Sequence, residues 1–225
     1  MNIPPNIRRW QAFKKMATLT TLLLTLAFPA MAAPPPPETR QEADRNAQTA
    51  VFAGGCFWGV DAVFRHVKGV TEVESGYAGG SQASAQYPQV SSGSTGHAEA
   101  VRVRFNPAQI SYAQLLQVFF SVAHDPTQLN RQGPDRGPQY RSAIFYTDAA
   151  QRQAAAEQIS KLTAAGAFSQ PIVTELNPLK AFYAAEAYHQ NYLALHPNEP
   201  YIVYHDRPKL EQLRKQFPAL YQPAL

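Results

Sequence analysis

The chain has 225 residues, with 20 Lys and Arg against 16 Asp and Glu, one cysteine, and 45% hydrophobic residues. Four of the cations, Arg8, Arg9, Lys14 and Lys15, lie at the start of the chain in a stretch without acids, so the remainder is formally neutral and a nucleic-acid or anionic-membrane footprint is excluded. Counting also excludes an intrachain disulfide and a CxxC or Cys/His zinc site, leaving the lone thiol as an inert core group, an intermolecular bridge or a nucleophile.

In chain order, residues 1–32 have the plan of an export signal: a basic start, an apolar run from Ala17 to Phe28, and the small-residue site Ala30-Met31-Ala32, with cleavage expected after Ala32. The run is about half the roughly 20 residues that a membrane-crossing helix needs, so no stable membrane span is expected; an uncleaved anchor is the alternative. "RRWQAFKK" is compatible with a general or a twin-arginine route. Residues 33–48, "APPPPETRQEADRNAQ", are proline-rich and then polar, and read as a flexible tether. Residues 49–225 are enough for a single domain with its own core.

"TAVFAGG" (49–55) reads as a strand ending in glycines, and "CFWGVDAVFRHV" turns to helical spacing, with Phe57, Val60 and Phe64 on one side. Cys56 therefore sits at a strand-to-helix junction. "GVTEVESGYAGG" and "HAEAVRVRFNP" read as further strands, separated by a polar Gly/Ser-rich loop at about residues 79–96. Ser111 is the expected N-cap of a helix "YAQLLQVFFSVA", and "YRSAIFYTD" is a fourth strand after the loop "HDPTQLNRQGPDRGPQ". The order β-α-β-β-α-β predicts an α+β fold, a ferredoxin-like split βαβ two-layer sandwich. An alanine-rich helix (148–165), a strand near "PIVTEL" and an aromatic-rich helix from about Ala181 to Leu195 are expected to extend it.

A cysteine at the first turn of a helix meets free N–H groups and the positive end of the helix dipole, which favour thiolate by about 1 kcal/mol, under one pKa unit. A free cysteine is most often just a small buried hydrophobe. Gly54-Gly55 before it and Gly59 after it, however, weaken the helix on both sides, which suits a site better than a core.

"GGCFWG" (54–59), "GYAGG" (76–80), "SGSTGHAEAVRV" (92–103), "HDPTQLNRQGPDRGPQYRSAIFY" (124–146) and "AEAYHQNYL" (185–193) together resemble the A-type peptide methionine sulfoxide reductases. The resemblance implies thiol-dependent reduction of methionine S-sulfoxide, in proteins and as the free amino acid, repairing oxidative damage. It implies Cys56 as the nucleophile on the sulfoxide sulfur and Phe57 and Trp58 as the receptors of the S-methyl group. It further implies Glu99 as proton donor to the sulfoxide oxygen, Tyr87 and Tyr140 as hydrogen bonders to that oxygen, and Asp135 as a supporting acid.

That set is chemically coherent. A sulfoxide is a poor electrophile until its oxygen is protonated or strongly hydrogen-bonded. A charged Glu99 would repel a thiolate, so Glu99 is expected to be neutral at rest, raised by burial, and to titrate together with Cys56. His97, His124 and His189 read as structural hydrogen-bonding residues.

Many relatives carry a resolving cysteine near the C-terminus, and here "KLEQLRKQFPALYQPAL" has none. The resemblance then implies an external thiol reductant, thioredoxin-like or another dithiol donor, with no bound cofactor or metal. "SQASAQY" before Tyr87 lacks the asparagine-proline pair common in relatives. A monomer acting on oxidised proteins, in the periplasm or secreted, is the expectation. Two alternatives stand beside it: a cysteine-based thiol peroxidase, and a non-enzymatic binding module for oxidised segments.

Overall fold

A computed structural model describes residues 46–224; the expected signal and most of the expected tether lie outside the described residues. Four strands form the centre of the sheet: β1 (Gln48–Gly54), β2 (Val70–Ala78), β3 (Ala98–Phe105) and β4 (Ser142–Tyr146). They lie in the order β4-β1-β3-β2 with every neighbour antiparallel, which is the split βαβ arrangement. Gln48, the last residue of the expected tether, is already paired with Phe105.

Helix α1 (Phe57–Arg65) joins β1 to β2, and α2 (Tyr112–Val118) joins β3 to β4. Ser111 caps α2 as expected: its side chain accepts from the Gln114 N–H while the Gln114 side chain accepts from the Ser111 N–H. The expected helix to Ala123 ends in a π turn, Phe119–Ala123. α3 (Ala149–Ala164) follows β4, capped by Asp148 on the Gln151 N–H.

Alternation along β1 builds both layers, because successive side chains point to opposite faces. Ala50 and Phe52 face α1 and α2, where Phe52 stacks on Phe64 and Phe119 at 5.1 and 4.9 Å. Val51 and Ala53 face the other side, an alanine-rich layer with Ala98, Ala100 and Ala143 covered by Leu179 and Phe182.

The expectations after α3 need correction. The strand near "PIVTEL" starts later, as β5 (Glu175–Pro178), parallel to β4 at one edge of the sheet. The expected helix from Ala181 to Leu195 is not formed as one element. Phe182–Ala184 instead becomes β6, antiparallel to β2, followed by a 3₁₀ turn at Ala187–His189 and one helical turn at Tyr192–Leu195. Two causes act together: Phe182 and Tyr183 suit a sheet edge, and Asn191 adopts φ +51, which a continuous helix cannot contain. A π turn (Ile202–Asp206) then leads into α4 (Arg207–Gln216).

The end of the chain returns to α1. The Lys68 N–H donates to the Leu220 carbonyl at 2.8 Å, the Gln222 N–H donates to the His66 carbonyl at 2.9 Å, and Val67 bridges to Tyr221. Among the described residues, no helix is long and apolar enough to cross a membrane.

Candidate active site

β1 delivers Cys56 to the N-cap position of α1. The junction is tight: Gly55 has φ +93, and a Cβ there would stand 2.5 Å from the Gln132 side chain, so only glycine suits both the backbone and the space. Gln132 belongs to a two-stranded hairpin, Arg131–Gln132 with Asp135–Arg136, that brings Asp135 toward the thiol.

Glu99 comes from β3, is 2% exposed, and its Oε2 accepts the Phe57 N–H at 3.1 Å. The carboxyl thus lies on the first turn of α1, beside Cys56. Burial first, opposed by that N–H and reinforced by Asp135, pushes its pKa from 4.5 to about 8. Glu99 therefore holds a proton at neutral pH, as its surroundings led us to expect.

The thiol is 8% exposed. Here the helix-terminus argument for thiolate fails. A backbone hydrogen bond from Trp58 favours the anion, but burial foremost, then the charges of Glu99, Asp206 and Asp135, push the thiol well above its ordinary value. The apolar setting and three acids outweigh a helix-end effect of about 1 kcal/mol.

Tyr87 and Tyr140 are half-buried, and both phenols are raised, first by burial and then by the Glu99 charge, so they remain donors at neutral pH. Tyr87 opens a one-turn helix, Tyr87–Val90, and its N–H donates to Glu186 Oε1 at 2.9 Å, while Glu186 Oε2 accepts from the Tyr77 hydroxyl at 2.8 Å. The altered loop before Tyr87 is thereby anchored from a residue 99 positions away.

Phe57 is 1% exposed and packed between Tyr77 and His189 at 5.9 and 4.9 Å. Trp58 is half-buried and stacks on Tyr192 at 3.7 Å with an interplanar angle of 6°. Its indole N–H donates to His189 Nδ1 at 3.1 Å, so Nε2 carries the histidine's proton. Of the expected pair of methyl receptors, Trp58 is the one open to a ligand from solvent.

Residues 48–220 match the family model for peptide methionine sulfoxide reductase. The chain is 54% identical over 181 residues to a peptide methionine sulfoxide reductase of Mesorhizobium japonicum, covering 80% of this chain and 93% of that one. The chain belongs to the peptide methionine sulfoxide reductase family. It is 49% identical to the reductase of Thermus thermophilus, over 78% of this chain and 98% of the relative. Among solved structures it is similar to methionine sulfoxide reductase A of Corynebacterium diphtheriae, with a TM-score of 0.60, 36% identity, and coverage of 68% and 76%. It is also similar to reduced Mxr1 of Saccharomyces cerevisiae, with a TM-score of 0.63, 33% identity, and coverage of 68% and 88%.

The reductase is therefore an oxidoreductase acting on methionine sulfoxide in protein repair, and the peroxidase and binding-module alternatives give way. The seven residues singled out in the sequence gather around α1's first turn. Three partners were not legible there. Tyr201 donates its hydroxyl to Asp135 Oδ2 and packs edge-on against Trp58 at 5.9 Å. Glu186 holds Tyr87, and Asp206 adds charge near the thiol. His97 and His124 are structural as expected: His97 accepts the Gly80 N–H, and His124 bridges Phe119 O and Ser142 Oγ, held neutral by burial with its pKa lowered to about 4.

Proposed function

We propose that Cys56 is the nucleophile and Glu99 the general acid of this reductase, with methionine S-sulfoxide, peptide-bound or free, as substrate. The observation that carries the reading is the placement of a neutral, buried Glu99 on the Phe57 N–H, next to the thiol. The thiol sulfur attacks the sulfoxide sulfur and bonds to it, and the thiol proton passes to solvent. Glu99 protonates the oxygen, and Tyr87 and Tyr140 donate hydrogen bonds to it as it becomes more basic. The hydroxyl then moves from the substrate sulfur to the Cys56 sulfur as the newly formed S–S bond and the original S–O bond break, so methionine leaves, Cys56 becomes a sulfenic acid, and Glu99 regains a proton from solvent. Asp135, held by Tyr201, supports the charge balance around Glu99. Trp58, with Phe57 behind it, receives the S-methyl group.

With no second cysteine in the chain, an external thiol attacks the sulfenic sulfur, releasing water and leaving a mixed disulfide that a second thiol clears. A thioredoxin-like dithiol fits that sequence. The leader composition supports export to the periplasm or beyond, and a monomer suffices for a site built from one chain.

Methionine release should be measured from separated S and R sulfoxide epimers with excess dithiol, for wild type, Cys56→Ser and Glu99→Gln. Release from the S epimer alone, abolished by Cys56→Ser and reduced about a hundredfold or more by Glu99→Gln, supports the assignment. Full activity in either folded variant refutes it.

A further inference from the structure

Asp206 is fully buried, and no step above uses it. It stands at the N-cap position of α4, where an aspartate ordinarily turns its carboxylate onto the helix's free N–H groups. It makes no such bond. Oδ1 accepts instead from Lys209 Nζ at 3.2 Å, and Oδ2 is buried with no hydrogen-bond partner among the described residues. The pair lies against α1. A methyl group at Gly59 would overlap the Asp206 carboxylate and come within 2.5 Å of Lys209 Nζ. Gly59 is three residues after Cys56, on the same side of the helix and about one turn away.

We propose that Asp206 is a positioning residue for Cys56: paired with Lys209 and wedged into the space left by Gly59, it sets a charge beneath the thiol that keeps the empty site in the unreactive S–H form. The proposal rests on the reading of Cys56 as nucleophile.

The missing side chain at Gly59 lets the carboxylate approach the helix backbone, and its one unpaired oxygen leaves the charge incompletely neutralised. A second anion formed next to it is disfavoured. The thiol is also faced by Glu99 from β3, Asp135 from the hairpin, and the phenols Tyr87, Tyr140 and Tyr201. Asp206 itself is faced by Lys209, His205 and Asp135. Glu99 is neutral below about pH 8, so in that range the Asp206 charge, rather than that of Glu99, adds to burial in holding the thiol at rest. The S–H form matters in a chain with no second cysteine, which cannot trap a sulfenic acid as an intrachain disulfide before further oxidation.

The test is alkylation of Cys56 by iodoacetamide in the full chain, followed by mass spectrometry from pH 7 to pH 10.5, for wild type, Asp206→Asn and Lys209→Gln. In Asp206→Asn the midpoint of the rate profile should fall by about half a pH unit or more, roughly a threefold faster reaction at a fixed pH below it. In Lys209→Gln the carboxylate loses its counter-charge and the midpoint should rise. The high-pH plateau should be unchanged in both. A midpoint that stays put, shifts of the same sign in both variants, or a change confined to the plateau would indicate packing alone and overturn the proposal. Should Asp206→Asn fail to fold, Asp206→Ser, which also removes the charge and leaves a smaller polar side chain, decides by the same fall in midpoint, and an unmoved midpoint there overturns the proposal. Alkylation needs no sulfoxide, so a negative result leaves the nucleophile assignment standing.

Discussion

A carboxylic acid that gives up a proton during turnover works only while it holds one. Glu99 holds its proton up to about pH 8, so reductase activity should decline as pH rises through that value, measured as methionine release with a pH-insensitive reductant. Glu99→Gln should remove that limb along with most of the rate. The same residue carries a stability signature. Its folded pKa lies above its ordinary 4.5, so its contribution is complete below 4.5 and is lost as pH rises toward 8. The melting temperature of Glu99→Gln relative to wild type should therefore climb between those two values and level off above them, as followed by circular dichroism. Gly55 bears the other residue-scale prediction. Gly55→Ala combines a left-handed φ with overlap on Gln132, and should destabilise the fold by about 2–4 kcal/mol in urea unfolding.

Single elements differ in how much of their own structure they specify. The capping box at Ser111 is local, and Ser111→Ala should cost about 1 kcal/mol in urea unfolding with the m-value unchanged. The same locality explains what can be read from sequence. β1 and β3 alternate, α1 has apolar residues at helical spacing, and glycines or Asn106-Pro107 punctuate them, so each element carries its own signal. Beyond α3 the signal fails, because β5 and β6 are four and three residues long and exist only through pairing with β4 and β2. The aromatic-rich stretch from Ala181 looks helical by composition, yet Phe182 and Tyr183 are taken by the sheet edge. The site divides along the same line. Cys56, Phe57, Trp58 and Glu99 lie in compact motifs, whereas Glu186 and Tyr201 reach Tyr87 and Asp135 across 99 and 66 positions, which no local pattern encodes. Asp206 was obscured differently: at the start of a helix it looks like an ordinary cap, and only its contact with Gly59 shows otherwise.

At the scale of the whole molecule, the proposed role of Cys56 as nucleophile implies that a chain with one cysteine cannot complete turnover by itself. Mixed with methionine sulfoxide and no reductant, the enzyme should release about one equivalent of methionine and stop, with Cys56 held as a sulfenic acid that dimedone captures and mass spectrometry detects. Continued release without added thiol would contradict this. The molecule is also closed by its own end, through Lys68 to Leu220 and His66 to Gln222. These bonds pin the far end of the helix that presents Cys56 at its first turn, so removing the residues from Leu220 onward should loosen residues 57–68 before the sheet, seen as faster amide exchange there than in β1 or β3.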